Sequence, residues 1–314
     1  MRGAFLSGMA ELAELDPRIV FLTGDLGFMA VEPFAMRFPD RFINVGVAEQ
    51  NMVGVATGLA EAGFIPFVYS IVPFAALRPY EFIRNGPVVH RLPVRIVGIG
   101  TGFEYSHNGV SHYGLEDAGI MRLQPDLTVV APADKDQARN ALMATWSLPG
   151  PVYYRLGKDD RTVVPGLHGR YRPGRAEVIR EGGDLLFVVM GSVAVEVAAA
   201  AELLAARGVE STVMVVAGFN PAPVDDLLHA LARFPIVLTV EAHYAVGGIG
   251  SLVSEVVADH GLGSRVVRCG VERTPDGVTG SQDYLYERHG LSRLSLANRA
   301  LIESGVRSVV MIAS

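Results

Sequence analysis

Residues 41–63, RFINVGVAEQNMVGVATGLAEAG, change hydrophobic period in mid-run, and that change limits what the chain can fold into. Phe42, Ile43, Val45 and Val47 form a β-prone apolar run. From Gln50 onward, Met52, Val53, Val55, Ala56, Leu59 and Ala60 recur at helical spacing. A strand that passes directly into a small-residue helix is the repeating unit of an open α/β sheet, and Glu49 falls on its turn. Ligands bind outside the carboxyl ends of strands in such sheets, so Glu49 is expected to face a cleft. Val47, Ala48, Met52 and Val53 should give it poorly solvated surroundings, which disfavour a charged carboxylate and suit an acid that shares a proton. A plainer role is also open, because an acid in the first turn of a helix offsets its dipole.

The same alternation continues along the chain. Strand patterns recur at residues 19–23, 42–47, 65–71, 94–99, 127–131 and 152–156, with helical patterns at 50–61, 74–90, 116–123 and 134–146, which predicts a mostly parallel sheet. Asp134 is the expected N-cap of the last of these helices. Residues 158–183 are rich in glycine and proline and carry little periodicity. Further strand patterns follow at 185–190, 211–216, 236–241 and 265–269, with a helix at 194–207 that stops at Gly208. The expected architecture is α/β, with two three-layer α/β/α domains at residues 1–164 and 184–314 joined through 165–183. A chain of 314 residues can bury two such cores.

Composition narrows the function. Half the residues are hydrophobic and 19% charged, which argues against disorder and for large buried surfaces, subunit contacts among them. The net charge of −6 is dispersed and no basic run occurs, so neither nucleic acid nor an anionic membrane is an expected partner. No apolar run approaches the roughly 20 residues that span a bilayer. The opening MRGAFLSGMAELAEL reads as an amphipathic helix rather than a signal peptide, so the expected location is the cytoplasm. The lone Cys269 excludes an internal disulfide and reads as an inert buried thiol.

Two glycine clusters, residues 98–102 and 247–250, lack the rest of the G-x-G-x-x-G fingerprint and its acid about 20 residues on. Close packing is the expected role of the second. The loop Ser106-His107-Asn108-Gly109-Val110-Ser111-His112 follows a parallel strand, where function concentrates, although either histidine could be a simple surface hydrogen-bonder. Aromatic residues crowd positions 64–82, most of them expected in the core.

Taken together, NVGVAEQNMVGVATGLA is similar to the glutamate-bearing segment of the pyrimidine-binding domain in transketolase-like, thiamine-diphosphate-dependent enzymes, and the resemblance spans nearly the whole chain. It implies that Glu49 hydrogen-bonds a ring nitrogen of the cofactor's aminopyrimidine and drives the tautomerisation by which the amino group deprotonates the thiazolium carbon. GVSHYGLED resembles the family's G-x-[ST]-H-x-x-x-[ED] segment. That match implies that His112 lines the substrate channel, with His107 a second candidate. By register Phe74 would stack on the pyrimidine and Ile71 form another pocket wall, while Asp25 matches an acid near the subunit junction. Arg2 and Lys158 fall where the family binds substrate phosphate. Gly100, however, stands in place of a phosphate-facing histidine, and Asn108 in place of the aspartate that reads a donor hydroxyl. These departures predict a specialised donor or acceptor.

The second unit resembles the transketolase C-terminal domain, which serves assembly. In the family a separate domain holds the diphosphate and its Mg2+ or Ca2+ through a GDG motif, and no GDG occurs here. The resemblance therefore implies half a cofactor site, completed by an N-terminal diphosphate-binding subunit, in an α2β2 assembly built on a dimer of this chain. The implied activity is transfer of a two-carbon ketol unit from a ketose-like donor to an aldehyde. The alternatives are the beta subunit of a 2-oxo acid dehydrogenase and a non-catalytic α/β scaffold.

Overall fold

The computed structural model describes residues 1–305; the end of the second expected domain, 306–314, lies outside the described residues. Twelve strands form two sheets among the described residues. In chain order they are β1 (Ile19–Thr23), β2 (Phe42–Asn44), β3 (Ile65–Ile71), β4 (Arg95–Ile99), β5 (Thr128–Val130), β6 (Val152–Leu156), β7 (Glu177–Arg180), β8 (Leu185–Met190), β9 (Ser211–Val215), β10 (Gly218–Asn220), β11 (Ile236–Tyr244) and β12 (Arg265–Val271). The first sheet has the order β10-β5-β6-β4-β3-β1-β2 and the second β12-β11-β8-β9-β7. Every pairing is parallel except β10 with β5 and β7 with β9. All residues of β1, β4, β6 and β8 are buried, as parallel strands covered by helices on both faces must be.

The chain leaves β1 toward β2 on one side and returns to β3 on the other, which makes the gap between the ends of β1 and β3 a topological switch point. Both strands carry their apolar side chains into the cores, and the helix Glu49–Glu61 buries Met52, Val53, Ala56 and Ala60 against them.

Several elements differ from the sequence pattern. The strand expected over residues 42–47 ends at Asn44, because Gly46 turns the chain at φ +73°. Val47, expected beside Glu49, is consequently exposed. The single helix expected over 74–90 is three pieces: Val72–Ala76, Tyr80–Ile83 and a π turn Arg84–Val88. Pro79 has no N–H and disfavours helical geometry at Arg78 before it, and Pro87 lies inside the π turn. Within residues 165–183, read as a connection, Glu177–Arg180 forms the edge strand β7. The strand β10 follows β9 of the second sheet yet pairs with β5 of the first, and Asn220 fastens it there by donating to the carbonyls of Gln124, Pro125 and Leu127. Asp134 caps its helix as expected, accepting from the Gln137 amide at 2.9 Å. The second glycine cluster does serve close packing: a Cβ at Gly248 would collide with the Glu241 carboxylate, which accepts the amides of Ile249 and Gly250. Burial pushes the Cys269 thiol up to about 12, consistent with an inert side chain. No helix among the described residues is long and apolar enough to cross a membrane.

Polar groups are also enclosed where the two sheets meet. Glu104 accepts from Ser192 at 3.0 Å and from the Lys158 amide, and burial raises its pKa above the ordinary 4.5, opposed by those hydrogen bonds. The folded protein therefore keeps this proton at pH values where the unfolded chain has released it. Stability from this group falls as pH rises from 4.5 through the raised folded value. Glu104→Gln has no such dependence, so its melting temperature should gain on the wild type as pH increases from 4.5 to the alkaline side. Thermal melts of both proteins across that range are the check, and a difference that shrinks with pH would contradict the assignment.

Candidate functional site

Glu49 is the first residue of the helix Glu49–Glu61, and its side chain lies between the ends of β1 and β3. It is only 1% exposed. The Ser70 hydroxyl, near the end of β3, donates to Oε1 at 3.1 Å, and Arg78 Nη1 donates to Oε2 at 2.6 Å. On the β1 side Gly24 adjoins the carboxylate, and a Cβ there would lie in ordinary contact with Oε1 at 3.4 Å. The expectation of poorly solvated surroundings is met, with a charged partner that periodicity did not reveal.

Phe74 belongs to the short helix Val72–Ala76 that follows β3. The Arg78 guanidinium carbon lies 4.3 Å from the Phe74 ring centroid, and the His112 ring packs edge-on against the same ring with centroids 5.1 Å apart at 72°. Arg78 thus touches Glu49 and Phe74 together. His112 Nδ1 shares a hydrogen bond with the Ser111 hydroxyl at 3.0 Å, and the Tyr105 ring lies 6.3 Å beyond the imidazole. Lys158 places its Nζ 4.7 Å from the Tyr105 centroid. Burial raises the hydroxyl pKa of both Tyr69 and Tyr105, and the positive charge of nearby Arg2 opposes it in each case. Glu49, Phe74 and His112 are therefore linked into one group by Arg78, with Lys158 and Arg2 reaching it through Tyr105.

Of the other expected site residues, Ile71 adjoins that group along the chain, while Asp25, His107 and Asn108 form no hydrogen bond, ion pair or ring contact with it among the described residues. Asp25, at φ +58°, pairs with Asn44 through two hydrogen bonds of 3.1 and 2.9 Å, which join the loops after β1 and β2. Ile71 ends β3 and caps the helix that carries Phe74. His107 and Asn108 occupy the turn Ser106–Asn108, and among the described residues neither side chain forms a hydrogen bond, ion pair or ring contact with Glu49, Phe74 or His112. Sequence reasoning missed Ser70, Arg78 and Tyr105. The proline after Arg78 was the available signal, because it places Arg78 on a turn rather than within a helix.

Chemically, the arrangement offers a buried acceptor, an aromatic face and an imidazole edge around one space. A planar group bearing N–H donors fits it, as the Arg78 guanidinium demonstrates by satisfying the carboxylate and the ring face at once.

Comparisons with known proteins place the chain in a family. Residues 1–162 match the family described as "Transketolase, pyrimidine binding domain" and residues 174–295 that described as "Transketolase, C-terminal domain". The chain is 34% identical to a "Putative transketolase C-terminal section" of Methanocaldococcus jannaschii, over 96% of each protein. It is 32% identical to the B subunit of an apulose-4-phosphate transketolase of Actinobacillus succinogenes, covering 95% of this chain and 94% of the relative. It is 34% identical to a "6-deoxy-6-sulfo-D-fructose transketolase subunit SqwH" of a Clostridium species, covering 96% and 93%. Among solved structures it resembles a "Split gene transketolase, inactive beta4 tetramer" with a TM-score of 0.85 at 34% identity, over 96% of this chain and 97% of the other. The chain belongs to the transketolase family, as a counterpart of the C-terminal chain in its split members.

Proposed function

We propose that the chain is the pyrimidine-binding subunit of a two-chain transketolase that moves a two-carbon ketol unit from a ketose-like donor to an aldehyde. The observation that carries this reading is the buried Glu49 carboxylate joined through Arg78 to the Phe74 face, with His112 against the same ring. Thiamine diphosphate, the family's cofactor, supplies when bound a nucleophilic carbon and an electron sink for the cleaved donor. Glu49 holds a proton at the pyrimidine ring nitrogen, and Ser70 fixes its other oxygen. Phe74 supports the ring, and Ile71 forms part of the pocket wall. His112 faces the substrate side, where an imidazole can bind a hydroxyl or move a proton. Lys158 and Arg2, with His107 and Asn108, contact the substrate, and Asp25 lies toward the subunit junction.

Exposed Phe28, Met29 and Val47 follow β1 and β2, on the loops nearest Glu49, and such apolar side chains favour a protein partner there. The partner proposed is the diphosphate-binding subunit, holding Mg2+ or Ca2+, in an α2β2 assembly in the cytoplasm. Relatives named for apulose 4-phosphate and 6-deoxy-6-sulfo-D-fructose support a specialised donor, in line with Gly100 and Asn108. The reading as a 2-oxo acid dehydrogenase subunit has no comparable support among them.

With only the pyrimidine half of the site, the purified chain should bind thiamine diphosphate weakly and recover tight binding when the partner is added. Calorimetry in the presence of magnesium tests this. Submicromolar binding by the chain alone would overturn the half-site reading.

A further inference from the structure

Arg78 holds the two surfaces that the proposed pyrimidine pocket needs. Its Nη1 donates to Glu49 Oε2 at 2.6 Å while its guanidinium plane lies over Phe74 at 4.3 Å. The side chain is 40% exposed, so it has an open path to solvent. It also sits between the helices Val72–Ala76 and Tyr80–Ile83, immediately before Pro79, where a change of side-chain rotamer leaves the hydrogen bond of the Arg78 amide to the Pro73 carbonyl (3.3 Å) intact. Glu49, by contrast, is anchored at the start of a 13-residue helix and cannot leave.

We propose that Arg78 competes with the aminopyrimidine for Glu49 and for the Phe74 face, so that cofactor entry requires the guanidinium to withdraw. This rests on the cofactor reading above. The competing contacts are a half-exposed ion pair and a cation–π contact, each worth about a threefold change in affinity. Together they correspond to about a tenfold change in affinity for any ligand that must displace them. A residue that merely positions Glu49 would act in the opposite sense, since its loss would loosen the carboxylate and weaken binding.

The test uses thiamine, which carries the pyrimidine without the diphosphate, titrated into the purified full chain and followed by calorimetry or ligand-observed NMR. Arg78→Met should bind thiamine about tenfold tighter than the wild type, and Arg78→Lys, which keeps a charge but loses the planar stack, about threefold tighter. The melting temperature of Arg78→Met without thiamine should fall, because Glu49 loses its counter-charge. Equal or weaker thiamine binding by Arg78→Met overturns the competition. Should that variant fail to fold, equal or weaker binding by Arg78→Lys overturns it equally. If the wild-type chain with its partner binds no thiamine diphosphate, the cofactor reading itself falls and takes the proposal with it.

Discussion

Glu49→Gln should lower turnover of the reconstituted enzyme by about 10² to 10⁴, the usual worth of a placed acid or base, while the subunit folds as before. The amide has the same shape; its single oxygen can accept from Arg78 while its NH2 takes the place of Oε1 and donates to the Ser70 hydroxyl oxygen. What it lacks is a proton to exchange with the pyrimidine ring nitrogen. The lost ion pair involves an arginine 40% open to solvent, so little stability goes with it. Two measurements separate catalysis from binding: steady-state rates, and exchange of the cofactor's thiazolium proton in deuterated water followed by NMR. A wild-type exchange rate in the variant would remove Glu49 from this role.

That Glu49 stands out in the sequence reflects how local its signal is. The change from strand to helical period occupies adjacent residues, and the switch point follows from strand order. The contacts of Phe74 and His112 are not local. Their rings meet across 38 positions of chain, and only resemblance to a family places both near one pocket. Ser70 and Arg78 reach Glu49 from 21 and 29 residues away, a separation at which hydrophobic period carries no information. The broken helix after β3 is different in kind. Pro79 and Pro87 are plain in the sequence, and their two missing N–H donors outweigh the helical spacing of the aromatic residues around them. The edge strands β7 and β10 escape for a third reason. They are four and three residues long, so alternation cannot establish itself, and tertiary pairing alone makes them strands.

Asp117→Ala should cost about 3–5 kcal/mol, a large share of the roughly 5–15 kcal/mol by which a domain is stable. Asp117 and Arg155 are each 1% exposed, and their side chains meet at 2.9 Å. Tyr153 donates to the same carboxylate oxygen at 2.8 Å. Arg155 also donates to the carbonyls of Gly114 and Ala242, so one guanidinium ties the end of β6 to β11 of the other sheet. Without Asp117 the arginine remains charged in surroundings it cannot escape, because a guanidinium does not release its proton. Asp117 Oδ1 has no hydrogen-bond partner among the described residues, so the pair is incompletely satisfied. An apolar replacement of both members should then be better tolerated than loss of the acid alone. Asp117→Leu combined with Arg155→Met is therefore expected to regain most of the stability lost in Asp117→Ala. Urea midpoints of the single and double variants decide it. A double variant no more stable than Asp117→Ala would show that the hydrogen bonds of Arg155 to the two carbonyls, rather than its balanced charge, hold the sheets together.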